Sequence, residues 1–395
     1  MRLNHLHVMD YRNLHAVDLD FPRDVSLIIG DNAQGKSNLL EAVYLLATMR
    51  STRAEVDAQL IRRDAMEDVL PAARVVGEVS TADGPLKIEV TIVARPGKAG
   101  PIATKTVKLN GVAKRLSDAT GRLIAVLFTA EDLDMVAGSP SLRRRYLDMT
   151  LMQVTSRYSA ARSRFERVLT QRNSLLKRIR EGAATTGELE FWDEQLAADG
   201  AVILHSRAAA VSRVAALASE AHAGLAPGER LEVTYQPRLE PGQQLASMSE
   251  DEVKEAYARA LKSGMGRDTA AGMTLQGPHR DDLALRLDDL PVAGFASRAQ
   301  QRTIALSLRL AETRFLRDHR GESPVLLLDD ILSEMDAARR RSVLASLGQI
   351  EQMMVTGTDL DRFPDEFAAG ASLIAVREGS ARPLVAGRPG AKASD

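Results

Sequence analysis

The chain has no cysteine, almost no net charge and no long uncharged apolar run, and each absence removes a class of function. Without cysteine there is no disulfide, no thiol nucleophile and no zinc site built on sulfur, which suits a reducing compartment. The 52 Lys and Arg against 53 Asp and Glu leave a net charge of −1, so the molecule as a whole does not attract polyanions. Any nucleic-acid surface must be a local patch. No stretch approaches the ~18 uncharged apolar residues of a membrane-spanning helix. The start, Met1-Arg2-Leu3-Asn4-His5-Leu6, has no basic region followed by an apolar core and does not read as a secretion signal. A cytoplasmic location with no membrane partner is therefore expected. No internal repeat is visible. What is present is an ordinary globular composition, 45% hydrophobic and 27% charged, over 395 residues, enough for two or three domains.

One segment carries more information than the rest. Residues 25–29 are an apolar run that reads as a buried strand, and residues 39–46 read as a helix. Between them lies Gly30-Asp31-Asn32-Ala33-Gln34-Gly35-Lys36-Ser37-Asn38, which meets the pattern G-x-x-x-x-G-K-[ST] at every fixed position. Gly30 and Gly35 allow the bend that turns successive backbone N–H groups inward as an anion nest. The helix N-terminus adds a favourable dipole for phosphate. Lys36 is placed to reach β- and γ-phosphates, and the Ser37 hydroxyl to ligate Mg²⁺. The expectation is a bound nucleoside triphosphate.

A second segment completes the chemistry. Val325-Leu326-Leu327-Leu328 ends in Asp329-Asp330, a buried-strand run that delivers two carboxylates. With the phosphate loop it reads as a Walker B strand, in which Asp329 holds Mg²⁺ and Asp330 polarises the attacking water. Upstream, Ser297-Arg298-Ala299-Gln300 starts an amphipathic helix, and downstream comes Ser333-Glu334-Met335-Asp336. The start of that helix also reads as an ordinary serine cap. The serial order is nevertheless that of an ABC-type ATPase. In that class the signature serine of one subunit contacts the nucleotide held by the other.

The middle of the chain differs in character. Residues 157–180 and 189–221 carry apolar positions at helical spacing, interrupted by Arg172 in the first and joined by the Gly-containing 182–187 stretch. This predicts an antiparallel helical hairpin, with a further helix over 250–261. Asp83-Gly84 and Asn110-Gly111 predict tight turns in an antiparallel sheet near the start. Tyr158 and Phe165 read as core. Arg157, Arg162, Arg164, Arg167, Lys177, Arg178 and Arg180 form a basic stripe, with only Glu166 and Glu181 among them, and the reading favoured is contact with DNA or a partner. Arg143-Arg144-Arg145 reads equally as a phosphate contact or a solvated helix face. His279 with Asp281 and Asp282 is an incomplete metal-ligand set, and a structural or allosteric loop is expected there.

Over nearly its whole length the chain resembles the RecF family of recombinational repair proteins. Asp10-Tyr11-Arg12-Asn13-Leu14 is similar to the family's F-R-N-L segment, and 30–38 to its phosphate loop. The stretches 128–133, 138–140 and 143–148 resemble its first signature, Gln276-Gly277-Pro278-His279-Arg280-Asp281-Asp282 its second, and 328–336 its Walker B and D-loop. The resemblance implies an α/β fold: a P-loop ATPase head of the ABC, Rad50/SMC-like type, built from residues 1–150 and 265–381. A helical lid, 151–264, is inserted, and a disordered tail, 382–395, follows. It implies a weak, DNA-stimulated ATPase using ATP and Mg²⁺, with Arg12, Ser297 and Gln300 added to the nucleotide contacts and Lys36 and Asp330 at the chemistry. It further implies an ATP-dependent homodimer on duplex DNA and single/double-strand junctions. RecR is the expected partner, with RecO and RecA downstream, in replication, repair and the SOS response. Three features depart from related ATPases. Ala299 replaces the second Gly of S-x-G-Q. Asp330 stands where transporter ATPases carry Glu. Thr356-Gly357-Thr358 stands where they carry a switch His. A structural clamp of the SMC/Rad50 type and, less well, a transporter ATPase subunit are the rival readings.

Overall fold

The computed structural model describes residues 1–97, 100–239, 242–331, 343 and 350–384. The chain divides into two compact units, one formed by Met1–Ala130 with Leu316–Asp395, the other by Glu131–Phe315.

The first unit is built on two six-stranded sheets. Strands β1 (Arg2–Tyr11), β2 (Leu14–Asp20), β4 (Ala72–Thr81), β5 (Gly84–Arg95), β6 (Ile102–Leu109) and β7 (Val112–Lys114) form an antiparallel sheet in the order β2-β1-β4-β5-β6-β7. The turn expected at Asn110-Gly111 has φ of 48° and 80°, the two positive angles of a type I′ hairpin. The other sheet has the order β15-β14-β3-β13-β12-β8. Its members are β3 (Val25–Ile29), β8 (Ala125–Phe128), β12 (Val325–Leu328), β13 (Met353–Gly357), β14 (Ser372–Arg377) and β15 (Ser380–Pro383). Its four pairings from β14 through β3, β13 and β12 to β8 are parallel. Parallel strands are covered on both faces and so read as continuous apolar runs; β8 and β12 are buried at every residue.

Helix α1 (Lys36–Thr48) is buried from Leu39 to Thr48, a run in which only Glu41 is charged, because it contacts strands of both sheets. The expected tail at 382 begins inside β15, whose Arg382 pairs with Ala375 of β14. Residues 385–395 and the D-loop reading at 333–336 lie outside the described residues.

The second unit is mainly helical: α4 (Pro140–Val154), α5 (Ser156–Arg180), α6 (Glu190–Leu225) and α7 (Glu250–Ala271), with a small antiparallel sheet of β9 (Leu231–Gln236), β10 (Asp282–Leu287) and β11 (Leu290–Pro291). The hairpin read from the sequence is α5 and α6, joined through a 3₁₀ turn at Thr186–Leu189, and the helix expected over 250–261 continues to Ala271. The division of the chain differs from the expected one: 150/151 falls inside α4 and 264/265 inside α7. The reason is polar. Arg143 of α4 grips Asp282 of β10 with two bonds of 2.7 and 3.0 Å, and the Tyr146 hydroxyl donates to the Leu308 carbonyl at 3.0 Å. Those bonds place α4, β10 and the segment after it in the helical unit.

Helix α6 also corrects the reading that no stretch approaches a membrane span. By length and composition it could cross one. In this fold it is the central helix of its unit, in contact with α5, α7 and β9, and its charged residues Asp199 and Arg207 are buried and paired.

Two arginines are the largest fully buried side chains in the structure. Arg207 donates to Asp148 at 2.6 Å, to the Pro278 carbonyl at 2.6 Å, to the Tyr158 hydroxyl at 3.1 Å and to Asp281 at 3.3 Å. Arg172, the residue that broke the apolar spacing of α5, donates to Asp193 at 2.6 Å and to Asp268 and Thr274 at 2.8 Å each. Burial alone would raise the Asp148 carboxyl, but Arg207 and Arg162 hold it down at about 2.

Removing one partner of such a set leaves an uncompensated buried charge, worth roughly 3–5 kcal/mol. Arg207→Ala is expected to destabilise the helical unit by about that amount in urea unfolding followed at Trp192, the one tryptophan of the chain. A loss below ~1 kcal/mol would show that the network does not support the unit. On β1, His5 lies 2.8 Å from Asp20 and 2.7 Å from Asp18. The Asp20 hydrogen bond, against some desolvation and with help from Asp18, raises its pKa above 6.5. The imidazolium thus favours the fold fully below that value and loses its effect as pH rises through the raised one. His5→Gln should lower the melting temperature in mildly acidic buffer and leave it unchanged in alkaline buffer; an equal change in both would discard the ion pairs as the cause.

Candidate nucleotide site

The parallel strands aim their C-terminal ends at one place, where open α/β sheets bind ligands. From β3 the chain enters the 30–37 loop, from β12 it delivers Asp329 and Asp330, and from β13, which lies between them, it delivers Thr356.

The loop is held from several sides. Gly35 has φ of 121° and Ala33 of 64°. Gly30 is needed for a different reason from the bend expected there: an added Cβ would come within 2.2 Å of the Val376 carbonyl oxygen. The Asn13 side chain donates to the Ala33 carbonyl at 3.2 Å and accepts from Asn38 at 2.7 Å. The Gln34 side-chain oxygen accepts the Glu378 N–H at 2.6 Å, and its carbonyl accepts the Gly379 N–H at 3.0 Å. The side chains of Gln34 and Asn38, expected at the nucleotide, are thus engaged in fixing the loop. Arg12 is likewise bound elsewhere: its guanidinium makes two bonds of 2.9 and 3.0 Å to Glu41, a buried carboxylate of α1 that also accepts from Ser51.

Lys36 is buried, and its ammonium donates to the carbonyls of Gly30 and Asp31 at 2.7 and 2.8 Å, which curls it over its own loop. Burial lowers its pKa, while Asp330, Asp329 and Asp31 act in the opposite direction. The Ser37 hydroxyl donates to Asp329 Oδ1 at 2.8 Å. The same oxygen accepts from Thr356 at 3.0 Å, and the other carboxylate oxygen accepts from Arg53 at 3.2 Å. A hydroxyl and a carboxylate in contact form a hard-oxygen donor set of the kind Mg²⁺ takes, so the residues fit that ion. The next residue, Asp330, is exposed and has φ of 56°, and its N–H donates to Thr356 Oγ1 at 2.8 Å.

Thr356 and Arg53 were not found by sequence reasoning. Thr356 was visible only as a residue in place of a histidine, and Arg53 stands in a polar stretch after α1 with no motif around it.

Ser297 belongs to the other unit. It is exposed and caps helix α9 (Arg298–Arg320), the last long helix described, following the short segments α2 (Leu116–Ala119), α3 (Asp132–Ala137) and α8 (Val292–Phe295). Its hydroxyl accepts the Gln300 N–H at 3.2 Å, and the Gln300 side chain accepts the Ser297 N–H at 2.9 Å, a reciprocal capping box. Gln300 also donates to Glu229 at 3.1 Å.

The arginines read as phosphate contacts divide sharply. Arg143 is buried on Asp282, and Arg144 donates to the Asp281 carbonyl at 2.7 Å. Arg162 bonds Asp148 at 2.9 Å and also pairs with Glu166; Arg164 bonds Asp199 at 2.6 Å; Arg157 pairs with Glu250. Arg157, Arg162 and Arg164 of the α5 stripe are therefore paired with acids of α7, α4 and α6, whereas Lys177, Arg178 and Arg180 of the same stripe are exposed; Arg143, Arg144, Arg162 and Arg164, four of the six candidates, support the fold. Arg145 and Arg167 are exposed. The two signature stretches meet through these pairs. Asp281 is fully buried, binds Arg207 and accepts from the Tyr235 hydroxyl and, at 2.8 Å, the Arg238 N–H. Burial pushes His279 down to about 4, leaving a neutral ring whose Nε2 lies 3.0 Å from the Thr274 carbonyl. The 276–282 loop is structural at these residues.

Comparison with known proteins agrees with this geometry. Residues 2–366 match the family described as the RecF/RecN/SMC N terminal domain. A protein of Roseiflexus castenholzii named DNA replication and repair protein RecF is 39% identical over 396 residues, covering 97% of this chain and 100% of that one. A protein of the same name from Bacillus cereus is 38% identical, covering 96% and 98%. The structure of "the recombination mediator protein RecF-ATP in RecFOR pathway" superposes with a TM-score of 0.84 at 31% identity, covering 97% of each chain. An SMC head bound to the C-winged helix domain of ScpA gives 0.50 at 15% identity over 97% of each chain, a likeness of fold alone. Strand order, loop and aspartate pair define the class as an ABC-type, SMC-like ATPase head with a helical insertion. Within that class the relatives at 38 and 39% identity are RecF proteins matched over nearly their whole length, and the chain belongs to the RecF family of DNA replication and repair proteins.

Thr356 joins Asp329 and the Asp330 N–H, so Thr356→Val should leave a part-buried donor unpaired and cost about 1–3 kcal/mol in equilibrium unfolding. A variant as stable as the parent would mean that water replaces the hydroxyl and that Thr356 does not set the position of Asp330.

Proposed function

We propose that this protein is an ATP-gated DNA-binding protein of recombinational repair. The observation that carries the reading is the contact between Ser37 and Asp329, 292 residues apart in sequence, at the mouth of a phosphate loop. It draws the phosphate-binding helix and the acidic strand end into a single site. A related protein solved as RecF-ATP supports the choice of nucleotide.

In this reading the backbone N–H groups of 31–37 and the α1 N-terminus take the β- and γ-phosphates. Lys36 exchanges its two loop carbonyls for phosphate oxygens; an ammonium has three donors and a flexible stem, so the move needs only rotation. Ser37 and Asp329 hold Mg²⁺, which when bound neutralises phosphate charge. Asp330, held by Thr356, orients the attacking water. A single aspartate in that role gives slow hydrolysis, which serves to time the release of a dimer. The exposed Ser297 and the α9 N-terminus of one subunit contact the nucleotide of the other. DNA, duplex or gapped, is bound by the ATP dimer, and the exposed Arg145, Arg167, Lys177, Arg178 and Arg180 stand in the two basic stretches. RecR is the direct protein partner, and RecO and RecA act downstream.

Sedimentation with a slowly hydrolysed ATP analogue and duplex DNA tests this. The parent should become a dimer only with nucleotide and bind duplex only as a dimer. Lys36→Ala should bind nucleotide at least about tenfold more weakly, a loss of ~1.4 kcal/mol, and remain a monomer. Ser297→Arg should bind nucleotide as the parent does yet also remain a monomer. A Lys36→Ala dimer, or equal duplex affinity with and without nucleotide, defeats the reading.

A further inference from the structure

The helical unit contains a cleft of about 640 Å³ that has no part in the nucleotide chemistry. One wall is α7; the other is the turn at 237–239 with Leu275 and Gln276. Arg259 and Arg267 are eight residues apart on α7, so their Cα atoms are separated by about 12 Å along the axis. Ser263 lies midway, four residues from each, and all three line the cleft on one helix face. Arg238 lines it from the turn.

The walls are preformed. The Arg238 N–H donates to buried Asp281 at 2.8 Å, and its carbonyl accepts the Gly277 N–H at 3.1 Å, so the turn is tied to the most deeply buried polar network of the unit. Across the cleft, Gly264 allows close approach: an added Cβ would come within 2.9 Å of the Gln276 side-chain nitrogen.

The cations here differ from those of the buried network. Arg143, Arg162, Arg164, Arg172 and Arg207 each have a carboxylate at hydrogen-bonding distance. Arg259 has only Glu255, 3.6 Å away, with both side chains largely exposed, a pair of little strength. Among the described residues, Arg238 and Arg267 have no carboxylate partner. Three guanidiniums around one concavity repel one another and favour an anion between them. The planar guanidinium fork suits phosphate oxygens in particular. Among the described residues, the lining between the cations includes Ala256, Ala260 and Leu239 and contains no aromatic ring on which a base could stack. Recognition would therefore be of backbone, blind to sequence. The volume lies in the range of small-ligand sites, about 300–1,000 Å³, which admits a short length of one strand and not a duplex.

We propose that this cleft binds the phosphodiester backbone of a single nucleic-acid strand, with phosphates held by Arg238, Arg259 and Arg267 and Ser263 between them. The proposal deepens the DNA-binding reading above by assigning the unpaired strand of a gapped substrate to the helical unit, and it rests on that reading for its biological setting.

The experiment is fluorescence anisotropy of labelled oligothymidine on the full chain across a salt series, with and without ATP, beside a blunt duplex. The parent should bind the single strand. In the triple variant Arg238→Ala/Arg259→Ala/Arg267→Ala, single-strand affinity should fall at least about tenfold and the slope of log affinity against log salt should flatten by about 2, near 0.7 per lost contact. Duplex affinity in ATP should change less than about twofold, because no duplex enters the cleft. The three Lys replacements should restore most of the slope, since they retain the charges. All three arginines are exposed, and unchanged urea unfolding at Trp192 confirms an intact fold. No single-strand binding by the parent, an unchanged slope in the triple variant, or an equal loss on duplex overturns the proposal. Displacement of the strand by thymidine monophosphate at comparable concentration would make the cleft a free-nucleotide site and also overturn it. Failure of the parent to bind duplex in ATP defeats the earlier reading alone, because the single-strand comparison is read without ATP as well.

Discussion

A carboxylate buried at the end of a parallel strand holds the ATPase unit's site in register. Asp329 takes a hydroxyl from the phosphate-binding helix, a hydroxyl from the neighbouring strand and a guanidinium from the segment after α1. A buried carboxylate is tolerable only when its lone pairs are filled. Filling them from three separate segments fixes β3, β12, β13 and the start of α1 relative to one another. The strand order β3-β13-β12 follows the same requirement, since it places Thr356 between the two halves of the site. The fold and the candidate chemistry therefore share one constraint. The positive φ of Ala33 and Asp330 marks the two points where the backbone departs from its relaxed regions to satisfy it.

The helical unit solves a different problem, that of burying arginine. Arg207 and Arg172 lie where apolar side chains would pack with less penalty, and each is enclosed by carboxylates and carbonyls from other elements. Buried ion pairs of this kind contribute little net stability compared with an apolar core but strongly disfavour any arrangement that separates the partners. Arg207 needs Asp148 from α4 and Asp281 from the loop before β10 at once, so it specifies how α4, α6 and that loop come together. Gly277 serves the same joint: its φ of 117° and the 2.0 Å that would separate an added Cβ from the Tyr257 hydroxyl leave no room for another residue.

The sequence made the nucleotide half of this molecule readable because its signals are local. The phosphate loop, the apolar strand and the aspartate pair each lie within a dozen residues, and the residues in them fix their own backbone. The hairpin of α5 and α6 was legible from periodicity for the same reason. What failed was anything that depends on pairing at a distance. Arg157, Arg162 and Arg164 looked unbalanced because their acids, Glu250, Asp148 and Asp199, lie on other helices. The boundaries at 150 and 264 were misplaced because the ties that hold α4 and β10 together are side-chain bonds between residues 139 apart. The partner of Arg12, Glu41, stands among apolar residues of α1 with nothing in the sequence to mark it.

A near-zero net charge acquires a definite meaning once the pairs are known. The arginines paired with buried carboxylates form the scaffold. An arginine locked on a buried carboxylate cannot be withdrawn to meet a phosphate without leaving that carboxylate stranded, at a cost of several kcal/mol that one surface phosphate contact does not offset. Arg162 and Arg164 are therefore poorly placed for DNA despite standing in the most basic stretches of the chain, and Arg143 is itself buried. Around the α7 cleft, weakly paired cations are gathered on preformed walls. Local pairing, and not local density of arginine, is the quantity that separates structural from binding charge in this fold.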